Sequence, residues 1–434
     1  RAHRTDSFHI PPAADRIAMS VAGVFALLAS GFSVAGGLAV HPGLFAAEPP
    51  PEAAGARLPK ECHMDNASHM GCPLRRMAPG EVYSVYPGEG SGAACLNADA
   101  PYFYQVRRGE SDKLLFYFQG GGLCFDSLSY SIHVTCLHEP SMAPWGGLLN
   151  ASDSENIYRT YTVVFVMYCS GDMHTGDSSQ DWGNARPHEV QIRGFNNANS
   201  ALQWTLAQSL PLSDLVLAGS SAGGFGMQMW ANHFLQQFPS QNITTVVIAD
   251  AYAGLLPIDT ALASWQQLDR MWGLCGTPLV DRRRRASCAA GRYTLTDVYL
   301  DAMRNHPEAR FAMVTSKLDR AAGMYHLTAL DVLTGATETP ADFYAQVDLL
   351  LEVYAKEPNF RGYLVDGDQH AFIPTFYTFT ATPLSATGEQ GGGPRLIDWL
   401  EAVHRGSKVP RVVCAGEWVV ANGSTTFCDP KLKG

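Results

Sequence analysis

The chain has 434 residues, of which 46% are hydrophobic and 17% are charged. These values describe a globular protein, long enough for two or three average domains or for a single large α/β domain with insertions. The net charge of −10 argues against a nucleic-acid partner, which would favour a basic surface. Four consecutive arginines at residues 282–285 are interpreted as a solvated loop, with a processing site or an anion-binding patch as the sharper alternatives.

The first residues combine arginines with a long uncharged stretch at residues 17–40. That stretch is long enough to span a bilayer, but glycines and serines dilute its hydrophobicity. Gly37 and Ala39 are small residues of the kind that signal peptidases recognise. The pattern predicts a cleaved signal peptide, with a signal anchor in residues 17–40 as the alternative, followed by a Pro- and Ala-rich linker. Either interpretation predicts entry into the secretory pathway. A cleaved signal peptide would give a secreted protein, and a signal anchor would give a membrane-anchored one.

The ten cysteines also indicate an oxidising compartment. They lack paired C-x-x-C spacing, and we expect disulfides that include Cys275–Cys288 and Cys414–Cys428. N-x-S/T sequons occur at Asn66, Asn150, Asn242 and Asn422.

Apolar runs and amphipathic stretches alternate along the chain. Strands are predicted at residues 81–86, 102–106, 113–118, 161–168, 215–218, 244–249, 312–315 and 363–365. Helices are predicted at residues 191–208, 227–235, 261–272, 295–305, 342–356 and 396–404. This order predicts a mostly parallel sheet with helices on both faces. We expect three segments: a leader and linker (1–58), a catalytic domain (59–406) and a Cys-containing tail (407–434).

The central motif is G-x-S-x-G at residues 219–223, between a predicted strand and a predicted helix. In this context the motif predicts a nucleophile elbow, a sharp turn that exposes the middle serine. Ser221 is therefore the candidate nucleophile, and Ser220, at the variable position of the motif, is the less favoured one. A plain glycine-rich turn is the alternative interpretation.

Three glycines at residues 120–122 follow an upstream strand. A glycine run lets backbone N–H groups approach a substrate oxygen closely, which is what an oxyanion hole requires. The amide of Ala222, directly after the nucleophile, is the second expected donor. A flexible surface turn is the alternative.

A serine hydroxyl needs a base, and enzymes with this elbow order their residues as Ser, acid, His along the chain. His370 follows a late strand and is the predicted base, ahead of His306, His326 and His404. Because Asp319 follows a strand and precedes His370, it is the predicted acid.

Other aspartates could fill the same role. Asp250 follows the strand after the elbow unit and is the second candidate for the acid. Asp366 and Asp368 lie too near His370 in sequence to be favoured.

Five motifs occur in order along the chain: G-G-G-x-C (120–124), Y-C-S-G-D-x-H-x-G-D (168–177), G-S-S-A-G-G (219–224), T-S-K-x-D (315–319) and D-G-D-Q-H-x-F (366–372). Together they resemble the pectin acetylesterase/Notum family. The resemblance covers roughly residues 60–406 and implies an α/β-hydrolase fold, ester substrates and independence of metals and cofactors.

The resemblance also implies roles for single residues. Ser221, Asp319 and His370 would be nucleophile, acid and base, and the oxyanion amides would be those of Gly121, Gly122 and Ala222. Asp177 and Leu123 are the candidate substrate-binding residues. Many relatives carry Trp where this chain has Leu123, which bears on the substrate rather than the mechanism.

We therefore expect a serine carboxylesterase that removes acetyl groups from a cell-wall or extracellular polysaccharide. Notum-like removal of a fatty acyl group, hydrolysis of other small or lipid esters, and a non-catalytic binding protein on a hydrolase scaffold are the alternatives. The intact Ser, Asp and His set argues against the last. The sequence does not indicate an oligomeric state.

Overall fold

The computed structural model describes most of the chain between residues 58 and 425. The described residues are 58–65, 71–124, 129–130, 136–141, 145–181, 189–238, 242–255, 261–326, 339–389, 392–414, 418–420 and 423–425. The predicted signal segment, nearly all of the linker, Asn66, Asn422 and Cys428 lie outside them. Among these residues we find no helix with the length and apolar character needed to cross a bilayer.

A ten-stranded mixed sheet forms the centre of the molecule. Its strands, in spatial order, are β1 (Glu61–His63), β2 (Val82–Tyr86), β3 (Tyr104–Arg107), β5 (Tyr161–Val166), β4 (Glu110–Phe118), β8 (Asp214–Ser220), β9 (Thr244–Asp250), β10 (Arg310–Ser316), β11 (Phe360–Val365) and β12 (Val412–Val413). Strand β3 is antiparallel to both neighbours, and the other pairs are parallel. The predicted α/β class with a mostly parallel sheet is confirmed, and the α/β-hydrolase type stays a prediction.

The strand predictions are confirmed, with bounds that differ by a few residues. The predicted domain bounds stay a prediction, but the sheet itself runs on into the tail, since Val412 and Val413 pair with β11. Two small antiparallel pairs also occur among the described residues: β6 (Ser178–Asp181) with β7 (Glu189–Ile192), and β13 (Trp418–Val420) with β14 (Gly423–Thr425).

The helices cover the sheet. They are α1 (Gly194–Ala207), α2 (Ala222–Leu235), α3 (Ala261–Trp272), α4 (Arg285–Ala289), α5 (Leu295–Asn305), α6 (Pro340–Tyr354), α7 (Tyr377–Thr380) and α8 (Leu396–Arg405). The helix predicted at 191–208 was wrong at its start, because residues 191 and 192 belong to β7. There Val190 and Ile192 alternate with more exposed residues, which is the period of a strand.

The core lies on both faces of the sheet, and its aromatic residues fix the elbow helix. Phe234 of α2 packs on Phe116 of β4 with ring centroids 4.9 Å apart, and Trp230 packs on Phe118 at 5.9 Å. All four side chains are fully buried. Burial of each such ring contributes about 1.5–3 kcal/mol, so the position of α2 behind the elbow is strongly determined.

Four disulfides staple the described residues: Cys62–Cys72, Cys95–Cys169, Cys124–Cys136 and Cys275–Cys288. The predicted Cys275–Cys288 pair is confirmed. The predicted Cys414–Cys428 pair falls partly outside the described residues. The disulfides agree with the predicted oxidising compartment.

Candidate active site

Ser221 stands on the sharp turn that the motif predicts. Strand β8 ends at Ser220, helix α2 begins at Ala222, and Ser221 between them has φ 57° and ψ −124°. A residue other than glycine rarely adopts this backbone conformation, which persists only where neighbouring contacts enforce it. A Cβ at Gly219 would lie 2.2 Å from the carbonyl oxygen of Gly223, so strand and helix approach as closely as they do only with glycine there.

The glycine loop lies against Ser221. A Cβ added to Gly120 would lie 3.0 Å from the Cβ of Ser221 and 2.8 Å from the carbonyl oxygen of Ser220. Ala222 is the first residue of α2, and the first N–H groups of a helix have no acceptor within it. The glycine loop and a helix N-terminus therefore meet beside the Ser221 side chain.

Two residues of the Tyr168–Asp177 motif hold the glycine loop in place. The Tyr168 hydroxyl donates a hydrogen bond to the carbonyl of Gly122 at 2.8 Å. The ring of His174 donates from Nε2 to the carbonyl of Gln119, also at 2.8 Å. Burial lowers the pKa of His174 to about 4, so this ring is neutral and acts as a fixed donor.

Asp319 and His370 are bonded to each other at the carboxyl edge of the sheet. Nδ1 of His370 lies 2.7 Å from Oδ1 of Asp319, which also accepts the amides of Ala321 (3.1 Å) and Ala322 (2.9 Å). Asp319 is 1% exposed, whereas the side chain of His370 remains 21% exposed. The pair thus has one end fixed in the protein and an imidazole that remains partly exposed.

Burial opposes protonation of His370, but neighbouring carboxylates reverse the balance. The Asp319 charge and hydrogen bond raise the pKa, the Asp250 charge raises it further, and Arg320 lowers it. The net result is a His370 pKa above the usual value.

The loops after β10 and β11 are joined along their length, which explains why Asp319 meets His370. Leu318 donates its amide to the carbonyl of Gly367 at 3.0 Å, and the Ser316 hydroxyl donates to that of Gln369 at 2.7 Å. The Lys317 ammonium lies 2.6 Å from Oδ1 of Asp366. Asp366, the near-sequence alternative for the acid, is therefore engaged with a lysine.

Asp250, the second candidate for the acid, bonds to other partners. Its carboxylate accepts the Ser220 hydroxyl at 2.6 Å and the amides of Phe372 (3.0 Å) and Ile373 (2.9 Å). Ser220 in turn accepts the Tyr117 hydroxyl at 2.9 Å. Asp250 is fully buried, and burial raises its pKa to about 6 against these hydrogen bonds. Sequence reasoning considered Asp250 only as an acid, and no local pattern shows this network.

A second buried carboxylate, Asp172, was not singled out from the sequence. It accepts the Ser170 hydroxyl at 2.6 Å and the amides of His174 (3.1 Å), Gly176 (2.8 Å) and Gly194 (2.8 Å). Burial raises its pKa to about 6, and those hydrogen bonds oppose the rise. Asp172 ties the turn after β5 to the start of α1.

The predicted substrate-binding residues lie near this turn. Asp177 is exposed and pairs with Arg193 at 2.6 Å, while its amide bonds to the carbonyl of Trp272. Trp272 also donates its ring N–H to the carbonyl of Cys124, in the loop after the glycines. Leu123 packs partly buried against the core. A substrate contact by Asp177 or Leu123 stays a prediction.

The other histidines considered for the base lie elsewhere. His404 contacts Asp214 at 3.2 Å, and Asp214 begins β8, roughly 20 Å from the elbow by strand rise. His326 packs on Phe343, and His306 lies beside Glu308.

One cluster of potential metal ligands, Cys124, Cys136 and His138, lies close to the glycine loop. Its two sulfurs form a disulfide, so neither is available as a thiolate ligand.

Comparison with known proteins agrees with the motif resemblance. Residues 80–267 match the family model described as pectinacetylesterase. The chain is 27% identical over 150 residues to the palmitoleoyl-protein carboxylesterase NOTUM of Drosophila melanogaster, and 31% identical over 147 residues to that of Homo sapiens. These alignments cover 31% and 32% of this chain, and 22% and 29% of the two relatives. The chain therefore matches less than a third of the length of these relatives.

Among solved structures, the Wnt deacylase Notum from Drosophila superposes with a TM-score of 0.49 at 18% identity, covering 66% of this chain and 84% of that one. The family model and the two NOTUM relatives confirm the resemblance to the pectin acetylesterase/Notum family over the residues that they match.

Proposed function

We propose that the protein is a serine carboxylic ester hydrolase. The observation that carries this proposal is the bonded Asp319–His370 pair. The His370 loop is joined to the Ser221 elbow through Asp250, which accepts both the Ser220 hydroxyl and the Phe372 amide. The pectinacetylesterase match and the carboxylesterase names of the two relatives support the same reaction class.

In the proposed mechanism His370 takes the proton of the Ser221 hydroxyl as Ser221 attacks the ester carbonyl. Asp319 holds the imidazole in the tautomer whose Nε2 accepts that proton, and stabilises the imidazolium that results. The oxyanion receives hydrogen bonds from the amides of Gly121, Gly122 and Ala222. The imidazolium then protonates the departing alkoxide. Water next attacks the acyl-enzyme and gives its proton to His370, which returns a proton to Ser221 Oγ as the acid is released.

For the substrate we propose acetyl esters on a cell-wall or extracellular polysaccharide. The family description pectinacetylesterase supports this choice. Removal of a fatty acyl group is the second candidate, and the names of the two NOTUM relatives favour it. We further propose secretion, or membrane anchoring through residues 17–40, and the disulfides support an extracellular location.

The test is hydrolysis of p-nitrophenyl esters from acetate to palmitate, run beside release of acetate from acetylated polysaccharides. Wild type should hydrolyse these esters and Ser221→Ala should not. A preference for acetate together with acetate release supports the polysaccharide, and a preference for long chains supports deacylation. A wild-type protein without hydrolysis of any ester would contradict the proposed function and favour a binding protein.

A further inference from the structure

Asp250 lies beside the site and has no role in the mechanism above. It is fully buried, and its carboxylate oxygens bond neither Ser221 nor Asp319 among the hydrogen bonds of the described residues. Instead they bond residues that adjoin the reacting ones: Ser220, directly before the nucleophile, and Phe372, two residues after His370. Its backbone carbonyl accepts the amide of Ser221 at 2.9 Å.

The three turns that meet at Asp250 all contain a residue in an unfavourable backbone conformation. Ser221, Ala251 and Ala371 have φ values of 57°, 56° and 64°, in the region that favours glycine. Each is next in sequence to a residue of the Asp250 network: Ser220, Asp250 itself and Phe372. Such turns persist only when surrounding contacts hold them. The Asp250 carboxylate bonds two of these turns and is carried by the third.

The charge of Asp250 also acts on the imidazole. The charged groups that act on His370 are Asp319 and Asp250, which favour its protonation, and Arg320, which opposes it. The Ser220 hydroxyl and the two backbone amides favour the ionised form of Asp250, against the effect of burial.

Resting on the proposed esterase function, we propose that Asp250 is a second positioning carboxylate, which fixes the turns of Ser221 and His370 relative to each other and stabilises the imidazolium through its charge. Asp319 orients the ring directly, whereas Asp250 acts through Ser220 and the backbone at residues 372 and 373. Asp250 takes up no proton in the reaction: the proton moves from the Ser221 Oγ to His370 Nε2 and on to the leaving alkoxide.

The test is Asp250→Asn, with kcat, KM and the pH dependence of kcat/KM for p-nitrophenyl acetate. The amide nitrogen would face a hydrogen-bond donor, so one link breaks and the turns shift. We expect kcat to fall by up to about a hundredfold, as small misplacements of catalytic groups do, with KM little changed. The acidic limb of the profile should move to lower pH, since one negative charge near His370 is lost.

Asp172→Asn is the matched control. Asp172 is equally buried and also accepts one serine hydroxyl and several backbone amides, but it is absent from the groups that act on His370. We expect it to lower the melting temperature without moving the acidic limb.

Ser220→Ala is the variant least prone to misfold, because it removes one buried hydroxyl and adds no atom. It should lower kcat about tenfold with unchanged KM, more than Tyr117→Phe and far less than Ser221→Ala.

The outcomes separate the two proposals. The inference is supported if the wild type hydrolyses the ester and the acidic limb of the kcat/KM profile moves in Asp250→Asn but not in Asp172→Asn. The inference is overturned, while the esterase function stands, if Asp250→Asn has the wild-type kcat and the wild-type acidic limb of kcat/KM. The same holds if Ser220→Ala has the wild-type kcat. If wild type hydrolyses no ester, both are overturned. Should Asp250→Asn fail to fold, the kcat and KM of Ser220→Ala decide.

Discussion

Two buried aspartates, Asp172 and Asp250, organise loops at the same edge of the sheet. Of the two, only Asp250 acts on His370 through its charge. Asp172 bonds residues within 22 positions of itself, all in the turn after β5 and the start of α1. Asp250 bonds Ser220, 30 positions away, and the amides of Phe372 and Ile373, more than 120 positions away. Burial raises the pKa of both to about 6.

Burial and a raised pKa therefore do not by themselves mark a catalytic residue. The two carboxylates differ in the chain segments that they join. Asp172 closes a local turn, so it contributes to stability, whereas Asp250 joins the segments that carry Ser221 and His370.

Asp319→Asn should lower kcat by about four orders of magnitude, because the imidazolium of His370 loses the negative charge that stabilises it. The folded protein should remain, since the amide is isosteric. The measurement is kcat on p-nitrophenyl acetate with circular dichroism as the folding control. If Asp250→Asn is the more damaging change at equal thermal stability, Asp250 rather than Asp319 is the acid.

Reduction of the disulfides should destabilise the Asp172 region most. Cys95–Cys169 and Cys124–Cys136 flank the turn and the glycine loop, and a disulfide typically contributes about 2–4 kcal/mol. We expect few reactive thiols before reduction, and a large fall in melting temperature with loss of activity after it. Ten reactive thiols in the unreduced, denatured protein, with no change in melting temperature, would contradict both the disulfides and the secretory location.

Asp172→Asn should reduce the free energy of unfolding by about 1–3 kcal/mol, the usual effect of leaving a buried hydrogen-bonding group unsatisfied. Its kcat should change less than that of Asp250→Asn. Denaturant unfolding of the two variants gives the comparison. A loss of kcat in Asp172→Asn as large as in Asp250→Asn, at equal amounts of folded protein, would remove the distinction between the regions.

The pH profile gives the smallest and finest separation. His370 must be neutral to accept the proton of Ser221, so kcat/KM should rise with pH through its pKa, which neighbouring carboxylates hold above the ordinary value of about 6.5. Below that pKa the imidazole is protonated and activity is lost. A wild-type acidic limb centred below the ordinary value would mean that the two carboxylates do not outweigh the effects of burial and Arg320 on His370.

The sequence predicts the parts of this site that local pattern determines. The elbow, the glycine loop and the Asp319 and His370 loops each follow a buried strand, and parallel strands bring their carboxyl ends to one edge. The start of α1 was missed, because residues 189–192 pair with β6 and the strand period overrides the helical one there. The role of Asp250 was missed because the Phe372 and Ile373 amides become its neighbours only when β9 and β11 enter one sheet.

The most direct test of the central claim is covalent labelling with a fluorophosphonate, followed by mass spectrometry of the peptide that contains residues 220 and 221. We predict one adduct per chain, with fragment ions that place it on Ser221, and a labelling rate that falls as His370 is protonated. Ser221→Ala should not react. An adduct on Ser220, or ester hydrolysis that continues in Ser221→Ala, would contradict the account.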